Sequence, residues 1–123
     1  VSRIHHVNVV IPVGTTEQAV AFYGRVLGLT HVPRPGEDEP QSTSGAWFDV
    51  APRMQVHISE RDGEPHPDAH FGIVVDDFDG VRQRLAGAGA PWTDQEPLFD
   101  GRRGFTRDPA GDRIELIEDG GSA

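Results

Sequence analysis

An α+β fold built from two copies of one strand–helix–three-strand module is what this chain predicts, and three observations predict it. A strand, a helix closed by glycine and about three further strands occur twice, in roughly sixty residues each time. The first strands of the two copies start at His6 and His70, an offset of 64, and the last strands align His57 with Glu115, an offset of 58. The paired residues fall on matching faces of matching strands. The organisation expected is a single domain over residues 1–123, with modules at 3–60 and 69–118 and a linker at 61–68.

The first copy opens with IHHVNVVIP, which alternates between a face carrying Ile4, His6, Asn8 and Val10 and a face carrying His5, Val7, Val9 and Ile11. Thr15-Thr16-Glu17-Gln18 reads as a helix start, with Thr15 as N-cap and Gln18 completing a capping box. Ala19, Val20, Phe22, Tyr23, Val26 and Leu27 follow at helical spacing, and Gly28 supplies the left-handed residue that ends the helix. After a short strand at Thr30-His31-Val32, the stretch to residue 46 is rich in proline, glycine and acids, too poor in apolar groups for a core element, and reads as a solvated loop or lid. Two strands, Trp47 to Val50 and Met54 to Ile58, are joined by a turn at Ala51-Pro52-Arg53. Met54, Val56 and Ile58 face the core; Gln55 and His57 face the other way.

The polar run ERDGEPHPD separates the copies. A strand from His70 to Val75 leads to Asp76-Asp77, which caps a helix holding Phe78, Val81, Leu85 and Ala88 at helical spacing until Gly89. Ala90 to Phe99 is a weaker strand and loop. Gly104 to Arg107 is a strand entering the turn Asp108-Pro109-Ala110-Gly111. The final strand, Arg113 to Glu118, turns Ile114 and Leu116 to the core and Arg113, Glu115 and Ile117 to the opposite face.

The chain is long enough to bury a continuous core without disulfides or a structural metal. It has no cysteine, which excludes disulfides, thiolate zinc sites and a cysteine nucleophile and fits a reducing compartment. Twenty acidic residues face 11 basic ones, all arginine, for a net charge of −9; nucleic acid is not an expected partner, because phosphate binding needs a basic stripe. No leader and no run of ~18 apolar residues is seen, so the expectation is a cytoplasmic protein with no membrane partner. The arginine-only, Ala/Gly/Asp/Pro-rich usage points to a GC-rich bacterial genome. No glycine loop suited to a phosphate and no hydroxyl nucleophile with a base and an orienting partner is present.

The segments HHVNVVIP before AVAFYGRVLGL, and HFGIVVDDFDGVRQRLAGAGA followed by FTRDPAGDRIELIE, resemble the vicinal oxygen chelate superfamily over nearly the whole chain. That superfamily includes glyoxalase I, fosfomycin-resistance thiol transferases, methylmalonyl-CoA epimerase, extradiol dioxygenases and bleomycin-resistance proteins. The resemblance implies two βαβββ modules whose curved sheets enclose a cavity, helices on the outer face, and commonly a homodimer. In metal-dependent members the ligands come from the first and last strands of each module, and the matching positions here are His6, His57, His70 and Glu115. Imidazole and carboxylate suit a divalent Zn, Fe, Mn, Co or Ni ion, and two histidines with one carboxylate leave positions open for substrate or water. His6, His70 and Glu115 would form that set. His57 is a departure from glyoxalase I, which has a glutamate there that ligates the metal and moves the substrate proton; a histidine can ligate or act as catalytic base near neutral pH.

Asn8, Gln55 and Arg113 share faces with these positions and are candidates to hydrogen-bond a polar substrate, although a solvated sheet face shows the same pattern. Trp47 and Phe105 are candidates for its apolar wall. The loops at 33–46 and 92–104 would shape the pocket. His5 and His66 are assigned to packing or solvent; Arg102-Arg103 are candidates to attract an anionic substrate, although a surface turn is their default reading. The resemblance implies a metal-dependent enzyme acting on a small molecule, with glyoxalase I-like lyase or isomerase chemistry first and extradiol-type dioxygenase chemistry if the ion is ferrous. The alternative is a non-catalytic drug- or metabolite-binding protein of the bleomycin-resistance type, for which the −9 charge suits a cationic ligand.

Overall fold

The segments of period two become strands and those of helical period become helices, in two sheets that share no strand. The computed structural model describes residues 1–99 and 101–120. Asp100, which opens the expected turn through Gly104, and residues 121–123, which end the expected domain, lie outside the described residues. The chain divides into two units, Val1–Pro65 and His66–Ala123, each containing one βαβββ module.

In the first unit the order is β1 (His6–Ile11), α1 (Thr16–Val20) continued by a π-helical stretch (Ala21–Val26), β2 (Thr30–Val32), β3 (Ala46–Ala51) and β4 (Met54–Glu60). The sheet runs β1-β4-β3-β2, with β1 parallel to β4 and the other pairs antiparallel. A parallel pair needs a long crossover, which the helix, β2 and β3 together supply. Val9, Ile11, Phe22, Tyr23, Leu27, Phe48, Val56 and Ile58 are buried. The core face of β1 is therefore the one carrying Val9 and Ile11, which leaves His6 and Asn8 on the opposite, exposed face.

The helix start differs from the expected capping box. The Thr15 hydroxyl donates to the Pro12 carbonyl at 2.7 Å and makes no side-chain cap bond. The cap comes instead from β4: Glu60 Oε2 accepts from the Thr16 amide at 3.2 Å and from the Thr16 hydroxyl at 2.7 Å. A carboxylate here meets amides that lack intrahelical partners and the positive end of the helix. The Thr16 hydroxyl bond, followed by the Gly14 amide, holds the Glu60 carboxyl below its usual range. The helix also widens. Leu27 N reaches back five residues to Phe22 O at 2.9 Å. Wider turns let the consecutive rings of Phe22 and Tyr23 both enter the core, where regular spacing would separate them by roughly 100°.

The second unit repeats the plan with β5 (His70–Val75), α2 (Phe78–Gly87), β6 (Thr93–Gln95), β7 (Arg103–Arg107) and β8 (Arg113–Glu118). Its sheet runs β5-β8-β7-β6, with β5 parallel to β8. Asp77 caps α2 as expected, its Oδ1 accepting from Gly80 N at 3.0 Å, and Gly89 takes the left-handed conformation at φ 71°. Phe78, Val81 and Leu85 turn inward with Ile73, Val75, Ile114 and Leu116. Arg102 is more than a turn residue: it donates to Asp79 at 2.9 Å and Glu118 at 2.7 Å and lies 4.8 Å over the Phe78 ring, tying α2 to β8. The Arg102 side chain first, then its backbone amide, push the Glu118 carboxyl they bond down to about 2. Among the described residues, no helix is long and apolar enough to cross a membrane.

Candidate functional site

The two sheets carry the repeat in their register. In the first, His6 pairs with Gln55, Asn8 with His57, and Trp47 with His57 across β3 and β4. In the second, His70 pairs with Arg113, Gly72 with Glu115, and Phe105 with Glu115 across β7 and β8. Side chains paired in register share a face. One face of the first sheet thus collects His6, Asn8, Trp47, Gln55 and His57, and one face of the second collects His70, Phe105, Arg113 and Glu115.

In the first unit these side chains form a stack. The His57 ring lies against Trp47 with centroids 3.8 Å apart and planes at 6°, and against His6 at 4.0 Å and 21°. His57 Nε2 donates to Gln55 Oε1 at 2.8 Å, and Gln55 Nε2 donates in turn to Asp49 Oδ1 at 2.9 Å. Because the amide oxygen can only accept, this chain puts the His57 proton on Nε2 and the lone pair on Nδ1. Burial first, then the neighbouring charges of His6, His5 and Arg34, push the His57 imidazole down to about 4. His57 is 7% exposed, whereas His6 is exposed at the strand edge with its Nδ1 3.0 Å from His5 Nδ1. Asn8 is exposed and accepts from the Ser59 hydroxyl at 2.7 Å.

In the second unit His70 Nε2 stands 3.4 Å from Glu115 Oε1. The far atoms of both groups are held. His70 Nδ1 donates to the Asp68 carbonyl at 3.0 Å, and Arg103 Nη1 donates to Glu115 Oε2 at 3.0 Å. Glu115 is buried, so the Arg103 guanidinium compensates a carboxylate that would be costly alone. The His70 ring meets Phe105 edge-on at 5.1 Å, and the Arg113 guanidinium lies 3.6 Å over the same Phe105 ring. Beside them a cavity of ≈ 290 Å³ is lined by Asp68, Thr93, Gln95, Phe105, Arg107 and Arg113 among others.

These geometries differ in how they suit a divalent ion. Ligand atoms about 2.1 Å from one ion lie roughly 3.0–3.4 Å apart, so His70 Nε2 and Glu115 Oε1 are spaced as two neighbouring ligands. Their anchored far atoms are the support that metal-binding imidazoles and carboxylates use to fix tautomer and orientation. His6 and His57, stacked face to face, hold their in-plane lone pairs side by side instead of aiming them at one point. Among the described residues, no group of three or more histidine, aspartate or glutamate side chains is gathered as a metal cluster.

Three groups that support these faces were not placed there from sequence. Arg103 belongs to β7 and not to a turn, and extending the alternation of Phe105 and Arg107 by one step would have placed it with them. Asp49, which fixes the Gln55 amide, follows from the pairing of β3 with β4. The Asp68 carbonyl carries no sequence signal, since any residue has one.

A model of the Glyoxalase/Bleomycin resistance protein/Dioxygenase superfamily matches residues 3–116. The chain is similar to a glyoxalase family protein from Bacillus anthracis, with 33% identity over 97% of this chain and 96% of that one and a TM-score of 0.82. It is similar in fold to lactoylglutathione lyase from Agrobacterium tumefaciens, at 22% identity, coverage of 98% and 96%, and a TM-score of 0.66. It is also similar in fold to an antibiotic binding protein, TnmS3, from Streptomyces sp. CB03234, at 23% identity, 96% coverage of each chain and a TM-score of 0.67. No curated protein matches the chain. With the first βαβββ module and all but the end of β8 in the second inside the matched span, the chain belongs to the Glyoxalase/Bleomycin resistance protein/Dioxygenase superfamily.

Proposed function

We propose that the chain is a metal-dependent enzyme of this superfamily in which a divalent ion engages vicinal oxygens of a small substrate, with glyoxalase I-like lyase or isomerase chemistry as the first choice. The observation that carries the reading is the His70–Glu115 pair, spaced for one ion and held from behind by Asp68 and Arg103. When bound, the ion supplies Lewis acidity toward negative charge developing on substrate oxygen. The remaining work falls to the protein. Arg103 keeps one Glu115 oxygen occupied so that the other faces His70, and the Asp68 carbonyl keeps the His70 proton on Nδ1, leaving Nε2 as donor.

The ligand roles of His6 and His57 rest on the family resemblance. The Gln55–Asp49 chain holds His57 as the Nε2–H tautomer, and a group pushed down to about 4 stays neutral through the physiological range. Nδ1 is therefore open to a ligand bond at neutral pH, but as a proton acceptor it is weaker than a base tuned near the working pH. Trp47 covers one face of the ring and excludes water from it. The resemblance also supports a homodimer, and the cysteine-free sequence fits the cytoplasm.

Metal analysis of protein purified without chelator or added metal tests the reading, with close to one transition-metal equivalent expected. Less than about 0.1 equivalent, with no uptake on reconstitution, would sink it, given the affinity expected of such sites. Glu115→Gln should reduce metal retention at least about tenfold, while Glu118→Gln, which only breaks the Arg102 contacts, should not. Equal losses would mean that the wrong face carries the site. Turnover is then sought with methylglyoxal–thiol adducts and with catechols. A second reading, sequestration of a drug or metabolite without turnover, draws on the Trp47–His57–His6 stack, a ready aromatic platform for a planar ligand. Saturable binding of a compound recovered unchanged, in protein without metal, would favour it.

A further inference from the structure

We propose that the cavity of the second unit is a carboxylate site in which Arg113 receives a singly charged acid group of the substrate. This names the substrate class of the site above and rests on that reading for its catalytic meaning, while the anion binding itself requires no metal. In a chain of net charge −9, the cavity wall carries two guanidiniums, Arg107 and Arg113, against one carboxylate, Asp68. The two arginines are not equivalent. Arg107 is committed to backbone, donating to the Gly111 carbonyl at 3.0 Å and the Pro67 carbonyl at 3.2 Å. The Arg113 guanidinium makes no hydrogen bond or ion pair with the described residues, and what it does meet is the Phe105 ring.

A guanidinium centred 3.6 Å over an aromatic ring is held by a partner that accepts none of its N–H groups, and those groups match the two oxygens of a carboxylate. Phe105 thus holds the fork without satisfying it. One free fork, a second positive charge held nearby and the Asp68 carboxylate favour a monoanion over a doubly charged phosphate. Thr93 and Gln95 offer neutral hydrogen-bonding groups to the rest of the molecule. Phe105 also meets His70, so an acid held by Arg113 lies beside the His70–Glu115 pair.

Benzoate and benzamide, alike in shape and different in charge, test this by calorimetric titration of the full chain as purified. Benzoate should bind at least about tenfold more tightly than benzamide, as a charge-assisted bidentate contact implies. Arg113→Gln should abolish that preference, Arg113→Lys should keep part of it, and Arg61→Gln on an exposed loop should leave it unchanged. Equal binding of the two probes, or a preference unaltered in Arg113→Gln, overturns the proposal. Glu115→Gln separates it from the metal reading: the preference should survive in this variant whether or not metal is retained. If the preference disappears in Glu115→Gln and persists in Arg113→Gln, the acid was bound to metal and Arg113 has no such role.

Discussion

Two titrating residues pull stability in opposite directions with pH. Burial first, then the charge of Asp108 and the hydrogen bond with it, push the Asp112 carboxyl up to about 7. The folded state therefore holds a proton that the unfolded chain has released, and stability falls as pH rises from about 4 to 7. His57 does the reverse. Its imidazole, lowered to about 4, is neutral in the folded state where the unfolded chain binds a proton, so stability is lost as pH falls from about 6.5 to 4. The two effects offset each other across that window, and single variants should expose them. With chelator present, so that no ion holds the imidazole, Asp112→Asn should make the urea midpoint rise between pH 4.5 and 6.5. His57→Gln should make it fall over the same range, with each slope below about one proton's worth. Flat profiles in both variants would mean that neither group is perturbed as its surroundings indicate. Histidine at position 57 was legible in the sequence as a candidate, but its low basicity was not. That property comes from burial first and then from the charges of His6, His5 and Arg34, which gather around the ring only when the chain folds.

At the level of elements, the two helices show which local signals can be trusted. Asp77 and Thr15 look equally good as caps in sequence, yet only Asp77 forms the bond. The reason is competition across the fold: Glu60, forty-four residues from Thr16, takes the first turn of α1, and no local pattern announces it. Asp77→Ala should therefore cost about 1 kcal/mol in urea unfolding, and Thr15→Ala only a few tenths. A larger loss at Thr15 would show that its bond to Pro12 shapes the entry to the helix. The glycines divide in the same way. A methyl group at Gly104 in β7 would run into the Trp92 ring and the Thr93 carbonyl, whereas at Gly87, the last residue of α2, it would meet nothing within 4 Å. Gly104→Ala should cost about 1–3 kcal/mol through overpacking of a backbone that cannot move far. Gly87→Ala should be neutral or stabilise by up to about 1 kcal/mol. The widening of the first helix at Ala21–Val26 was not legible, because adjacent buried rings conflict with regular spacing and only packing decides how the conflict is settled.

Across the whole chain, duplication made the fold readable. The offsets of 64 and 58 return in the registers, where His6 pairs with Gln55 as His70 pairs with Arg113, and Asn8 with His57 as Gly72 with Glu115. Side-chain type and strand face were thus available from sequence for the candidate site. What was not available is the support behind it, since Arg103 and the backbone of Asp68 act through pairings and turns that alternation does not encode. The linker shows this most directly. It read as one polar run, but its two ends have different duties. Gly63 is exposed with φ 122°, a conformation suited to a turn, and a Cβ there would meet open space. Pro67 and Asp68 lend their carbonyls to Arg107 and His70. All pairing of each sheet closes inside its own unit. Inserting Gly-Ser-Gly-Ser after Gly63 should therefore cost only the entropy of a longer loop, ~0.4 kcal/mol, with the far-UV circular dichroism unchanged. The same insertion after Asp68 displaces the Pro67 and Asp68 carbonyls from their partners in β7 and β5 and should cost at least about 1 kcal/mol. If both insertions cost the same, these carbonyl contacts do not hold the second unit's first strand in place, and the anchoring assigned to His70 fails with them.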